Sequence, residues 1–297
     1  MNFGRLDQIH KNEFPLPPDH PLTSKVLGGK SRSDKLKVYA GCPVWSDPKF
    51  VGRIYPRGTK SKDYLHEYAK QFNVIELNAT GYGTPSREEI EEWVRVVPKG
   101  FLFCPKVPRQ ISHSAPFAKN VAAVDEFKTS LKYFGKHLGP VLLQLPQYFS
   151  LERFEQLIPF LNSWDRKLPL HIEMRHPGWF ETNTSADDLY KLLRKLKIGT
   201  VITDVTGRRD VLHRCLTTRT AFIRFDAHDL DPTDFTRIDE WAQRIKTWID
   251  AGLEQVYFFP HTLAKYLNPE LSNYFIERMD DLCGLDLKLA TIAKRGR

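Results

Sequence analysis

From residue 38 onward the chain alternates short β-rich runs with longer segments of helical period, and this alternation constrains its fold more than any other feature. The runs fall at 38–41, 73–78, 101–107, 140–145, 169–175, 200–204, 221–226 and 255–260. Between and after them, helical period predicts helices near 61–72, 87–97, 121–137, 151–164, 186–196, 208–215, 234–251 and 263–282. The sixth helix has the least periodic sequence, TGRRDVLHRCLTTRT. Strands that alternate with helices join as βαβ units and build a parallel sheet. Eight units in a chain of 297 residues predict an α/β fold, a single (β/α)8 TIM barrel over 38–281. Residues 1–37, broken by Phe14-Pro15-Leu16-Pro17-Pro18 and Gly28-Gly29-Lys30, read as a short extended N-terminal arm, and 282–297 as a basic C-terminal tail.

Side chains alternate across a strand, so in a barrel one parity faces the outer helices and the other the interior. In the fifth run, Leu170, Ile172 and Met174 form an apolar helix-facing set, which sends His171, Glu173 and Arg175 inward. The same rule sends Glu76 and Asn78 inward from strand two, Lys106 from strand three, Gln144 from strand four, Asp204 from strand six, and Arg224 and Asp226 from strand seven. Interior charges are costly unless they pair or meet a ligand, and barrels of this class bind substrates at the C-terminal strand ends. The polar ring therefore predicts a pocket there, centred on Glu173 and Arg175. The alternative is a structural salt-bridge lattice, with Glu173 holding Arg224 or Glu76 holding Lys106. Just beyond strands one, two and five stand Trp45, Tyr82 and Trp179, either a rim on which a sugar or base stacks or ordinary packing. His113 and His176 lie in loops after strands and His261 ends strand eight; of these, His113 and His261 are the better candidates for acid, base or ligand.

Several blocks then carry a resemblance to a known family. They are VYAGCPVWSDPKFVGRIYP, the segment from YLHEYAKQFNVIELNATGYG to FLFCPKVPRQISH, LGPVLLQLPQYF, IEMRHPGWF and IRFDAHD, in that order. Together they resemble the DUF72 (YecE-like) proteins from Val38 to about Asp281. The resemblance implies a barrel and no particular reaction, because the family is defined without an established activity. Three departures bear on substrate identity rather than fold. Ala79-Thr80-Gly81-Tyr82 stands where the family has an aromatic pair, Arg224-Phe225-Asp226-Ala227 where it has Arg-Phe-His-Gly, and Phe259-Pro260-His261 where it has Phe-Asn-Asn-His.

The net charge of +8 raises nucleic acid as a partner until the charge is located. Residues 1–37 carry +3 and 288–297 carry +4, so the barrel itself is nearly neutral. Nucleic-acid binding is thus an expectation for the basic flanks alone, and solvated tails are the simpler reading of them. Cys42, Cys104, Cys215 and Cys283 form no closely spaced metal pair, which predicts free thiols and a cytoplasmic protein. No apolar run reaches the length of a membrane span, and no secretory leader is evident. Glu76, Glu173, Asp204, Asp226 and His261 are chemically suitable ligands for a divalent metal, but Lys106, Arg175 and Arg224 supply counter-charges already, so a site without metal or cofactor is expected. No GxGxxG, Walker or GxSxG element occurs.

The leading expectation is an enzyme acting on a small or exposed anionic substrate such as a phosphate ester. Lys106, Arg175 and Arg224 would hold it, Glu76 and Glu173 would serve as acid and base, and Asp204 and His261 are further catalytic candidates. Asn78, Gln144, Asp226, Trp45, Tyr82, His113 and Trp179 complete the proposed binding set. One alternative is a glycoside-type hydrolase with paired carboxylates and Trp45 and Trp179 as sugar platforms. The other is a barrel that binds a ligand or partner without turnover.

Overall fold

Why the alternation yields a ring of strands is visible in the computed structural model, which describes residues 4–6, 9, 14–29, 32–181 and 184–293. Among these, eight parallel strands follow one another: β1 (Lys37–Ala40), β2 (Val74–Leu77), β3 (Leu102–Pro105), β4 (Val141–Gln144), β5 (Leu170–Glu173), β6 (Gly199–Asp204), β7 (Thr220–Asp226) and β8 (Gln255–His261). The helices are α1 (Pro21–Leu27), α2 (Tyr64–Gln71), α3 (Arg87–Val96), α4 (Arg109–Ser112), α5 (Val121–Lys132), α6 (Phe154–Ser163), α7 (Thr184–Leu196), α8 (Pro232–Asp250) and α9 (Asn268–Cys283). Local sequence sets several of their ends. Ser86 and Glu89 form a capping box at the start of α3, Asp231 caps α8 ahead of Pro232, and Gly284, with a φ of 58°, ends α9.

The interior is packed as the parity rule requires. Tyr39, Val74, Cys104, Leu142, Val201, Phe222, Tyr257 and Phe259 form one buried cluster with residues from every strand except β5, where His171 lies against Phe222. These side chains fill the ring below the C-terminal strand ends. The hydrogen-bonded ladder is less continuous than a fully closed sheet would have it. One ladder runs β1-β8-β7-β6-β5-β4 and a second joins β2 to β3.

Two seams separate the ladders, and each has a local cause. Between β1 and β2 the Tyr68 hydroxyl is inserted, accepting from the Cys42 amide at 2.7 Å and donating to the Val74 carbonyl at 2.9 Å. Gly41 permits this close approach, since a Cβ there would stand 2.3 Å from the Val74 carbonyl oxygen. Between β3 and β4, the Gly139 amide donates to Phe103 at 2.7 Å and the Val107 amide to Leu142 at 2.9 Å, beside two isolated bridges.

The described residues of both flanking segments pack on the strands and helices between them. The sixth helix expected at 208–215 is absent; a short 3-10 turn, Arg209–Val211, stands there among buried Val205, Leu212, Cys215 and Leu216. Residues 211–217 are buried at every position, polar His213, Arg214 and Thr217 included, so the segment keeps no exposed face to make a surface helix. The arm supplies the missing layer. Thr23 Oγ1 donates to the Arg214 carbonyl at 2.8 Å and accepts from the Leu216 amide at 3.0 Å, while Asp19 takes Arg244 and Trp248 of α8 and His20 meets Asp187 of α7. Helix α1 thus lies between α7 and α8, in the place of a sixth outer helix. After α9 the chain runs back over α2: Ala290 exchanges hydrogen bonds with Asn273, and the Thr291 amide donates to Gln71. Lys294, Arg295 and Arg297, most of the basic charge expected of the tail, lie outside the described residues.

The four cysteines are free, and no helix of the described residues is long and apolar enough to cross a membrane.

Candidate active site

The polar ring closes into two linked clamps around one guanidinium. Arg224, from β7, donates Nε and Nη2 to the Glu76 carboxylate at 2.9 and 2.8 Å and Nη1 to Glu173 Oε2 at 2.7 Å. Glu173 also accepts from Arg175 Nε at 2.6 Å and from Gln144 Nε2 at 2.8 Å. Glu76 also accepts from Asn78 Nδ2 at 2.8 Å, and His261 Nε2 lies 3.3 Å away. Both carboxylates are 0% exposed. Burial opposes their ionisation, but the neighbouring charges outweigh it. Arg224 and His261 hold Glu76, and Arg175 and Arg224 hold Glu173, well below the usual carboxylate range.

Above these clamps, at the C-terminal strand ends, lies a cavity of about 680 Å³. Its wall includes Trp45, Glu76, Asn78, Tyr82, Lys106, His113, Gln144, Arg175, Arg224 and His261, all expected from the sequence. Arg109 and Lys265 also line it and were not foreseen. Each stands within four residues of a residue already singled out, Lys106 or His261, a proximity that would have found them. Lys106 is half-buried and donates Nζ to Gln144 Oε1 at 2.9 Å. Burial and the neighbouring Arg224 push its ammonium down to about 8, against the opposing pull of Glu173 and Glu76. His113 is pushed down to about 4 by burial and then by Arg109, and burial also lowers His261, so both imidazoles are neutral-prone. Tyr82, 89% exposed, stands at the rim, and Trp45 packs edge-on against Trp93.

Glu173, expected at the centre of the pocket with Arg175, does not line the cavity but lies buried behind Gln144, Arg175 and Arg224, and three more expected residues are placed elsewhere. Asp204 points outward from β6, where it accepts from Arg237 at 2.8 Å, Trp241 at 2.7 Å and Arg209 at 2.5 Å. The register explains this: Thr203 is paired with inward Arg224, so Thr203 takes the interior side and Asp204 the other. Trp179 is no rim platform. It is fully buried, donates Nε1 to the Phe149 carbonyl at 2.7 Å and stacks on the Phe149 ring. Asp226 does point inward, but the arm covers it: Arg5 Nε stands 3.0 Å from Asp226 Oδ1, and its Nη2 reaches the carbonyls of Ala227 and His261. Leu6 and Gly4 lie beside it, against His228 and Gly207. The arm thereby closes the β6–β7 side of the barrel mouth and leaves the cavity on the other.

With Asp204 turned out and Asp226 covered, no group of three or more His, Cys, Asp or Glu among the described residues is placed to hold a metal ion.

A family profile described as "Protein of unknown function DUF72" matches residues 39–290. The chain belongs to the DUF72 family. Among its relatives, UPF0759 protein YecE of Escherichia coli (strain K12) is 30% identical over 252 residues, covering 79% of this chain and 89% of that protein. UPF0759 protein YunF of Bacillus subtilis (strain 168) is 28% identical over 153 residues, 48% of this chain and 52% of YunF. Two solved DUF72 structures share the fold. That from Enterococcus faecalis V583 has a TM-score of 0.67 at 19% identity, covering 88% of this chain and 100% of its own. That from Thermotoga maritima MSB8 has 0.59 at 22%, covering 82% and 99%. These likenesses give the DUF72 chain its family and fold, and no activity.

Proposed function

We propose that the cavity is the active site of an enzyme acting on a small anionic molecule such as a phosphate ester. One observation carries this reading. Five basic side chains, Lys106, Arg109, Arg175, Arg224 and Lys265, line the cavity, while the two carboxylates beside them are consumed by Arg224 and Arg175. The surplus of positive charge faces a concave, partly dehydrated space, where it attracts and orients an anion more strongly than a surface cluster does. Arg109 and Lys265, exposed at the mouth, extend the attraction outward.

The same geometry weighs against carboxylate acid–base chemistry and the glycoside reading. Glu76 and Glu173 grip one guanidinium, are shielded from solvent and stay ionised, so neither has a proton to donate to a leaving group. Lys106, with an ammonium near 8, is the cavity group best tuned to exchange a proton near neutral pH.

Calorimetric titration with inorganic phosphate, glycerol phosphate and a neutral sugar tests this. Both phosphates are expected to bind, more weakly as salt rises. Arg175→Met should weaken binding about tenfold or more, as losing a charge-assisted hydrogen bond does. Arg109→Ala, at an exposed position, gives a smaller loss without a folding penalty. Binding of the sugar but of neither phosphate would overturn the reading.

A further inference from the structure

Lys106 is an unusual cation for this cavity. Its backbone is pinned by Thr80, whose hydroxyl accepts from the Lys106 amide at 2.8 Å, and its aliphatic stem crosses Gly81, where a Cβ would stand 3.3 Å from Lys106 Cδ. Its Nζ has no carboxylate partner among the described residues. Its one hydrogen bond there goes to the neutral Gln144 Oε1, and that amide cannot turn, because its Nε2 is donated to Glu173. The charged and titratable groups facing it are Glu76 from β2, Glu173 from β5, Arg175 just beyond that strand, Arg224 from β7 and His113 after α4, with the acids already engaged by the arginines.

A lysine kept only to attract anions would gain from a carboxylate partner that holds its charge. An ammonium left beside two guanidiniums with a neutral acceptor loses charge more readily, and its use as a fixed point charge is weakened. The same arrangement suits an amine that reacts as a neutral nucleophile, since desolvation and adjacent cations are what activate such a lysine.

We propose that Lys106 is an amine nucleophile that forms an imine with the carbonyl carbon of a small anionic aldehyde or ketone bound in this cavity. The proposal rests on the anion-binding reading above and names its substrate class. Arg175, Arg109 and Arg224 take the anionic group, and Gln144 Oε1 holds one N–H of the amine so that the lone pair faces the cavity. The Nζ lone pair forms the N–C bond while the carbonyl π pair moves to oxygen, and one proton passes from nitrogen to that oxygen, giving a carbinolamine. The second N–H proton and the hydroxyl then leave as water and the C=N bond forms. Amine and carbonyl give imine and water, with no oxidant or reductant.

The test uses the full-length protein with pyruvate, glyoxylate and pyridoxal 5′-phosphate in separate reactions, each reduced with borohydride and read by intact mass and peptide mapping. The expected result is one adduct per chain on Lys106 with at least one of the three. Its rate should rise with pH through about 8, and inorganic phosphate should suppress it. Lys106→Arg and Lys106→Met, checked by thermal melting, should lose that adduct. Adducts spread over surface lysines alone, or undiminished single labelling in Lys106→Arg, would overturn the proposal. Calorimetric binding of phosphate with no Lys106 adduct from any probe overturns the imine and leaves the anion site standing. Neither binding nor adduct overturns both.

Discussion

Replacing Glu173 by Gln isolates what the buried lattice contributes. The carboxylate is 0% exposed and accepts three hydrogen bonds, from Arg175 Nε at 2.6 Å on one oxygen and from Arg224 Nη1 at 2.7 Å and Gln144 Nε2 at 2.8 Å on the other. An amide has one accepting oxygen, so it can keep Arg224 and Gln144 only by turning its own NH2 toward the Arg175 guanidinium. Arg224 retains its two-pronged grip on Glu76, and half-buried Arg175 can turn to the cavity. The loss therefore sits at the low end for breaking a buried ion pair, about 3 kcal/mol. Unfolding entropy of about 2.1 cal/mol/K per residue makes that a fall of roughly 5 °C in melting temperature for a chain of this length. Scanning calorimetry reads the fall, and titration of the folded variant with phosphate reads the site. Removing a negative charge from beneath five cations should leave phosphate affinity equal or higher. A melting temperature within about 1 °C of the parent would mean that Glu173 does not hold the arginines. A stable variant that has lost phosphate would mean that Glu173 itself meets the ligand.

Two further outcomes follow from buried groups outside the cavity. His171 and His213 are held neutral by burial at about 4, below the ordinary 6.5, so below that value the unfolded chain binds more protons than the folded one. Their contribution is complete above pH 6.5 and is lost as pH falls toward 4, about 3 kcal/mol for each; urea unfolding across that window should steepen with acid, and His171→Leu should flatten it, an unchanged slope refuting the assignment. Asp204→Asn should destabilise the fold by about 3 kcal/mol through Arg237, Arg209 and Trp241 while leaving phosphate affinity untouched, and calorimetry showing lost binding would return Asp204 to the cavity.

Much of this was legible in the sequence because barrel strands have a short period and a small set of environments. The eight β-rich runs each contain or overlap an observed strand, and on β5 the apolar set of Leu170, Ile172 and Met174 fixes the inward side without ambiguity. On β6 the sequence GTVITD carries apolar or β-branched residues on both faces, so alternation cannot choose, and only the pairing of Thr203 with Arg224 settles Asp204 outward. Trp179 follows strand five in a short Pro-Gly turn that reads as a loop. Its burial depends on Phe149, 30 residues earlier in another connection. Most distant is Arg5, whose contact with Asp226 spans 221 residues and leaves no local trace.

The helix carried by the arm sets an order on how the chain can be assembled as it is made. Thr23 leaves the ribosome 191 residues before Arg214, the partner that fixes it between α7 and α8. At about 5–20 residues per second the wait is on the order of 10–40 s. Through that interval Arg214 and Leu216, the hydrogen-bond partners of Thr23, do not yet exist, and Leu27 lacks Leu212 and Leu216 of its buried cluster. Helix α1 thus precedes its partners in synthesis and follows them in seating, and the mouth of the barrel is walled on its β7 side only when the segment around Arg5 arrives.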